Sequence, residues 1–279
     1  GGPPCQGFST VGKKNFGDPR NSLFAQFLRA VNEAEPRYVI FENVAGFKRL
    51  YSGQIYEKVL KGLADMGFDH ISGILNVRDF GVPQSRERTI ILAWQRGLKP
   101  VSMPQATHGA SRPFLTLLEA ISDLPYLHPG EERVDYLCDP NNAYQSEMRV
   151  AGGALTEHSC AKYGERMKLV ISKVPPGGSI MDLPEELRPK GYFKNTYARL
   201  MPDLPSPTIT RNFGTPSSSR CIHPFQNRAL STREGARIQG FPDHYKFYGS
   251  KCRKNLQIGN AVPPILGKVL ARQIMESSI

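Results

Sequence analysis

The first hundred residues switch repeatedly between helical and strand-like apolar patterns, and this switching constrains the fold more than any other feature. Leu23, Phe24, Phe27, Leu28 and Val31 share one helical face. That helix stops before Pro36, because a proline disfavours helical geometry in the residue ahead of it. An apolar strand follows at 38–41. Ile55, Val59, Leu60, Leu63 and Met66 mark a second helix ending at Gly67, where a missing Cβ permits the left-handed turn that closes helices. Residues 71–77 and 89–94 read as further strands. Helices alternating with short buried strands predict an α/β layer with at least some parallel pairing.

From Gly97 to about Arg228 the texture changes to scattered Pro and Gly with short apolar runs such as 115–121. This predicts a second, irregular domain over 96–229. Order returns from Leu230, and Ile265, Val269, Leu270 and Ile274 line a closing helix whose first turn takes Pro263 and Pro264. The expected division is therefore 1–95, 96–229 and 230–279. No apolar run approaches the roughly 20 residues that span a bilayer, and nothing at the N-terminus resembles a signal peptide, so a cytoplasmic protein is expected.

Thirty-six Lys and Arg against 25 Asp and Glu leave a formal charge of +11, which favours a polyanionic partner. The five cysteines, Cys5, Cys138, Cys160, Cys221 and Cys252, are dispersed, with no Cys-x-x-Cys spacing. That pattern predicts neither a zinc site nor a disulfide framework, and it leaves a thiol free to act as a nucleophile in a reducing compartment.

Three segments carry candidate chemistry. In Gly2-Pro3-Pro4-Cys5-Gln6-Gly7-Phe8-Ser9 two prolines stiffen the approach to a cysteine and Gly7 frees its far side, which suits a nucleophile on a hinged loop as well as a small side chain in a turn. Glu42 stands where a buried strand ends, the edge at which α/β sheets bind ligands, although a carboxylate there can also be a simple cap. If the strand at 89–94 extends backward, Gln84, Arg86 and Arg88 share one face. The alternative is a salt-bridged edge in which Glu87 is the partner.

Pro4-Cys5-Gln6, Glu42-Asn43-Val44, Gln-x-Arg-x-Arg at 84–88, Arg233-Glu234 with Gln239-Gly240-Phe241-Pro242, and the run from Gln257 to Pro263 resemble, in that order, the motifs of the cytosine-C5 DNA methyltransferases. Asp18-Pro19-Arg20-Asn21-Ser22-Leu23-Phe24 resembles another short motif of that family. The resemblance implies a partial Rossmann-like S-adenosylmethionine-dependent methyltransferase sheet interrupted by an irregular target-recognition domain. It implies that Cys5 adds to C6 of a cytosine swung out of duplex DNA, that Glu42 acts at N3, and that Arg88, supported by Arg86, holds O2. Pro4, Leu23, Asn260 and Ala261 would contact S-adenosylmethionine, with Gly259-Asn260 expected at the entrance to the closing helix, where an anion is favoured. Gln6, Ser9, Gln84, Thr208, Thr210 and Arg211 would face DNA.

The family's opening Asp-x-Phe-x-Gly-x-Gly segment is not found, so the expectation is a chain shortened at its N-terminus or completed by a separate N-terminal methyltransferase segment. A transfer-RNA cytosine methyltransferase is the alternative within the same chemistry, although the Cys-Phe-Thr tripeptide of those relatives is absent. A DNA-binding pseudoenzyme without cofactor binding is the alternative outside it. Cysteine protease chemistry would need a His base, and the histidines at 70, 108, 128, 158, 223 and 244 suggest none.

Overall fold

Among the described residues the strands are β1 (Tyr38–Val44), β2 (Phe68–Asn76), β3 (Gln84–Ser85), β4 (Glu87–Gln95) and β5 (Ser206–Pro207). The computed structural model describes residues 1–4, 23–149, 152–218 and 221–278. By internal contacts these form two units: Gly1–Val77, Glu87–Ala106 and Gly267–Ile279 in the first, and Arg78–Arg86 and Thr107–Leu266 in the second.

In the first unit β4 lies between β1 and β2 and runs antiparallel to both, with register from Tyr38↔Trp94 to Val44↔Arg88 and from Phe68↔Gln95 to Asn76↔Glu87. Some parallel pairing, as expected of an α/β layer, is found between β3 and β5, whereas this three-stranded sheet has an antiparallel arrangement. Its physical reason is connection length: β1 and β2 are joined through a helix and run the same way, but β4 returns from β2 over a short link and inserts between them. Hydrogen bonds in the parallel pattern occur on the other edge of β1, from Gly1 N to Ile40 O (2.7 Å) and from Glu42 N to Gly1 O (2.9 Å).

Alternation along β1 places Val39 and Phe41 on a buried face and Ile40 and Glu42 on the opposite one. The buried face packs with Val31 of α1 (Leu23–Ala34) and with Val59 and Leu63 of α2 (Gln54–Asp65), the stripes anticipated from helical spacing. Phe27 meets Phe41 edge to face at 5.2 Å. Each such side chain contributes about 1.5–3 kcal/mol when fully buried. Gly67 adopts φ +84° just past α2 and donates its N–H to Ala64 O, the closing turn expected of it.

The second unit contains α3 (Leu117–Ile121), α4 (Ala143–Met148), α5 (Glu165–Lys173), α6 (Thr232–Ile238) and α7 (Lys251–Asn260), and α8 (Pro264–Ser278) begins in it. Its core joins Leu117, Ala120, Phe213, Ala236, Ile238 and Ile258. The expected boundary near residue 230 is thus displaced, because α6 is buried along its whole length inside this unit and α7 packs with it. Arg237, fully buried, spends its guanidinium on Asp123, Asp243 and the Ala120 carbonyl, and Arg228 forks onto Glu234 at 2.8 and 2.6 Å. The Arg233-Glu234 pair of the sequence motif is therefore framework.

One consequence is a defined acid sensitivity. His223 Nδ1 accepts the N–H groups of Phe225 and Gln226, and burial pushes this imidazole down to about 4 against the opposing charge of Glu234. Unfolded His223 protonates below about 6.5 while the folded group does not, so its contribution is fully present above that pH and is lost as pH falls toward 4. Burial alone would raise the Glu234 carboxyl, but the charge and hydrogen bonds of Arg228 hold it well below the usual carboxylate range, and its contribution fades below about pH 4.5. Urea midpoints should fall between pH 7.5 and 4.5, with His223 accounting for about 3 kcal/mol at most. His223→Asn, whose amide oxygen can take the place of Nδ1, should flatten that slope; an unchanged slope would refute the assignment.

Candidate active site

The register Val44↔Arg88 and Glu42↔Ile90 makes Glu42 and Arg88 diagonal neighbours on one face of the β1–β4 pair. Arg88 Nε lies 2.8 Å from Glu42 Oε1, with 12 and 15 % of the two side chains exposed, so the pair is sheltered yet reachable. Arg88 also donates Nη1–H to the Glu87 carbonyl at 2.7 Å. Burial lowers the guanidinium pKa from its ordinary value, and the neighbouring Glu42 charge and hydrogen bond oppose that shift. A fixed cation beside a carboxylate can recognise a flat heterocycle that presents a donor edge and an acceptor oxygen.

The chain that leads to Cys5 is held against this pair. A Cβ on Gly2 would stand 2.9 Å from Glu42 Oε2, so the backbone here lies directly on the carboxylate and a larger residue would push that carboxylate aside. Asn43, buried on the other face of β1, donates Nδ2–H to Pro3 O at 3.1 Å while its Oδ1 accepts the Val44 N–H at 2.9 Å. Asn43 is a positioning residue that the motif reading quoted without a role. The available signal was a polar amide at an inward-facing strand position, which must find partners when buried. Cys5, Gln6 and Ser9 lie outside the described residues.

Gln84, Arg86 and Arg88 do not share a face, because the strand breaks at Arg86 and β3 pairs with β5 instead. Gln84 is fully buried, donates to Gln239 Oε1 (2.6 Å) and accepts the Ile209 N–H (3.0 Å). Its expected DNA contact is corrected to a framework role. Arg86, 3 % exposed, donates to the carbonyls of Ile209, Gly259 and Ala261 at 3.1–3.3 Å. Gly259 and Ala261 stand at the last turn of α7, where carbonyls lack helical partners and the dipole favours a cation. Gln239 donates to Ile258 O and Ala261 O at the same helix end. Arg86 therefore clamps α7, and the expectation that it supports the reacting base directly is corrected.

Asn260 ends α7 instead of heading the closing helix, which starts at Pro264. The helix-dipole argument for an anion at Asn260 is thereby overturned. A Cβ on Gly259 would lie 2.4 Å from Arg211 N and 2.6 Å from the Thr210 carbonyl carbon, so glycine is required where α7 lies against that backbone. The Thr210 and Arg211 side chains are exposed, whereas Thr208 is half-buried and donates its hydroxyl to Ser85 O. For S-adenosylmethionine, the exposed Asn260 amide can both donate and accept, which fits the amino-acid end of such a molecule; Ala261 is half-buried beside it. In the first unit, Pro4 is exposed and Leu23 opens α1 half-buried, both open to apolar contact. Among the described residues no cluster of His, Cys, Asp and Glu is arranged to hold a metal, and no helix is long and apolar enough to cross a membrane.

This mixed α/β arrangement is a S-adenosylmethionine-dependent methyltransferase fold. A prophage-encoded E. coli protein described as a DNA modification methyltransferase superposes with a TM-score of 0.76 at 22 % identity, over 99 % of this chain and 77 % of its own. The chain belongs to the C-5 cytosine-specific DNA methylase family, whose model matches residues 1–276, and its enzyme class is DNA (cytosine-5)-methyltransferase. It is 36 % identical to the type II methyltransferase M.DdeI of Desulfomicrobium norvegicum, over 98 % of this chain and 71 % of that relative. It is 32 % identical to DNA (cytosine-5)-methyltransferase 2 of Arabidopsis thaliana, over 99 % of this chain and 22 % of that much longer protein.

Proposed function

We propose that this chain methylates C5 of cytosine in duplex DNA through a covalent adduct between Cys5 and a base swung out of the helix. The observation that carries this reading is the Glu42–Arg88 pair, sheltered at a strand end with the backbone leading to Cys5 packed on its carboxylate. Cytosine C5 is a poor nucleophile until a thiolate adds to C6. The new S–C bond pushes the ring's electrons toward N3 and turns C5 into the nucleophilic carbon of an enamine. Glu42 shares a proton at N3 and accepts from the exocyclic amine, while the guanidinium of Arg88 holds O2. Asn43 and Gly2 act as positioning residues that hold the backbone of Gly2 and Pro3, which precede Cys5 in sequence, against β1 at the carboxylate. Asn260 and Ala261 in the second unit, and Pro4 and Leu23 in the first, are each candidates to hold S-adenosylmethionine, which would supply the methyl group when bound. A base then takes the C5 proton, the released pair re-forms the C5–C6 double bond, and the C6–S pair leaves with the thiolate. Thr210 and Arg211, exposed and basic in part, are the described candidates for contacts to DNA.

The test is methylation of duplex DNA and transfer RNA side by side, with duplex affinity measured across salt concentrations. Duplex DNA should be methylated, and its affinity should fall with a log–log slope of about −0.9 per phosphate contacted. Preference for transfer RNA would reassign the substrate; duplex binding without methylation of either substrate, with a family N-terminal methyltransferase segment supplied, would favour a pseudoenzyme. A flat salt response would show that the excess of Lys and Arg does not face a polyanion.

A further inference from the structure

In the first unit β4 is buried from Thr89 to Trp94, and Thr89 is the one polar side chain in a run completed by Ile90, Ile91, Leu92, Ala93 and Trp94. A valine there would have the same shape and no polar atom to bury, so the hydroxyl needs a reason. Fully buried, it cannot turn to water. It donates instead to the Val44 carbonyl at 3.2 Å and, less closely, to the Ala45 carbonyl at 3.4 Å. Those carbonyls stand where β1 ends and the 3-10 turn Ala45–Gly53 begins.

In the strand register Thr89 lies opposite Asn43, and Arg88 opposite Val44. Alternation therefore puts Asn43 and Thr89 on the buried face of the two strands, directly behind Glu42 and Arg88 on the other. Val44 is held from both sides of this back face: Asn43 Oδ1 accepts its N–H at 2.9 Å, and the Thr89 hydroxyl donates to its carbonyl. Each member of the front pair thus has a sequence neighbour whose buried side chain fixes the same residue. The Glu42–Arg88 contact sets the separation of the two charged groups at 2.8 Å, but not the direction in which they face. A strand end braced from behind sets that direction.

We infer that Thr89 is a positioning residue for the reaction at Glu42. Its hydroxyl braces the end of β1 so that the carboxylate and the Arg88 guanidinium present their hydrogen-bonding edges to the base together. The inference rests on the proposed role of Glu42 and adds to it a residue that acts only through that pair. A misplacement of about 1 Å can cost on the order of 10²-fold in rate, so a smaller slip of one strand end should cost about ten-fold.

The experiment follows adduct formation on 5-fluorocytosine duplex at saturating DNA, with S-adenosylmethionine supplied and under the conditions in which wild type methylates cytosine. Duplex affinity and thermal melts are measured in parallel. Thr89→Val should slow the adduct about ten-fold, whereas Thr89→Ser should stay within about three-fold of wild type. Thr89→Ala and Thr89→Ser differ only by the hydroxyl, so their ratio gives the same answer if Thr89→Val melts too low to assay. Duplex affinity should match wild type throughout, which places the loss on the chemical step. In the Glu42→Gln background Thr89→Val should cost no more than about two-fold, because a residue that acts through the carboxylate has nothing left to position. Three results would each overturn the inference while leaving the role of Glu42 standing: equal rates in wild type and Thr89→Val, a Thr89→Ser enzyme no faster than Thr89→Ala, or the full loss repeated in Glu42→Gln. A Glu42→Gln enzyme that forms the adduct as fast as wild type would remove the role of Glu42 and this inference together.

Discussion

Glu42→Gln should cut the single-turnover methylation rate by roughly 10²–10⁴-fold, the usual worth of a positioned acid–base group, while DNA affinity changes little. Gln is nearly isosteric, and its Oε1 can still accept the Arg88 Nε–H that Glu42 accepts at 2.8 Å. What it cannot do is share a proton with a ring nitrogen that gains negative charge in the transition state. Its NH2 also sets a donor against the donor amine of cytosine. The loss should therefore fall on turnover at saturating DNA, more than on KM, because the missing interaction strengthens only as the thiolate adds. The assignment fails if the Gln enzyme, shown folded by an unchanged melting transition, turns over within three-fold of wild type. An equal loss in Arg88→Ala without loss in Glu42→Gln would mean that the guanidinium alone carries the recognition.

How far the sequence could be read depended on the range of the interactions involved. α1 and α2 were legible because Phe27, Val31, Val59 and Leu63 repeat at helical spacing within a dozen residues, and Gly67 announces its turn locally. Glu42 stood out as a carboxylate closing an apolar run, although β1 continues past it to Val44. The antiparallel insertion of β4 between β1 and β2 was not, since strand order is a contest among long-range pairings that all look alike as apolar runs. Gln84 and Arg86 misled for a related reason. Period-two alternation assumes an unbroken strand, and the break at Arg86 is set by partners 123 to 175 positions away at Ile209, Gly259 and Ala261. Asn260 shows the same limit: with Pro263 and Pro264 next in line, Gly-Asn reads as a helix entrance, yet α7 runs through Gly259 because that glycine fits the Thr210–Arg211 backbone. Family resemblance located the motifs and singled out Arg88 for the base, but that Arg86 clamps a helix end became visible only through burial and hydrogen-bond partners.

Cys5→Ala should abolish methyl transfer to background while duplex affinity stays near that of wild type. The argument is chemical: methyl transfer to C5 requires prior addition at C6, and among the side chains on this loop only a thiol supplies a nucleophile that can add there and leave again. Neither Gln6 nor Ser9 can substitute, since an amide is not nucleophilic and the serine hydroxyl holds its proton at neutral pH. Binding should survive because the phosphate contacts that dominate affinity come from Lys and Arg. Duplex containing 5-fluorocytosine separates the addition step from everything after it. The fluorine at C5 cannot depart as a proton does, so the S–C6 bond, once formed and followed by methyl transfer, stays in place and the enzyme migrates as a covalent complex with DNA. Wild type should accumulate this complex stoichiometrically when S-adenosylmethionine is supplied, Cys5→Ala should form none, and Glu42→Gln should form it at a rate lowered in step with its turnover. An active Cys5→Ala enzyme, or a wild type that methylates cytosine yet is never trapped by the fluorinated base, would remove the thiolate from the mechanism and leave the Glu42–Arg88 pair to be explained as recognition alone.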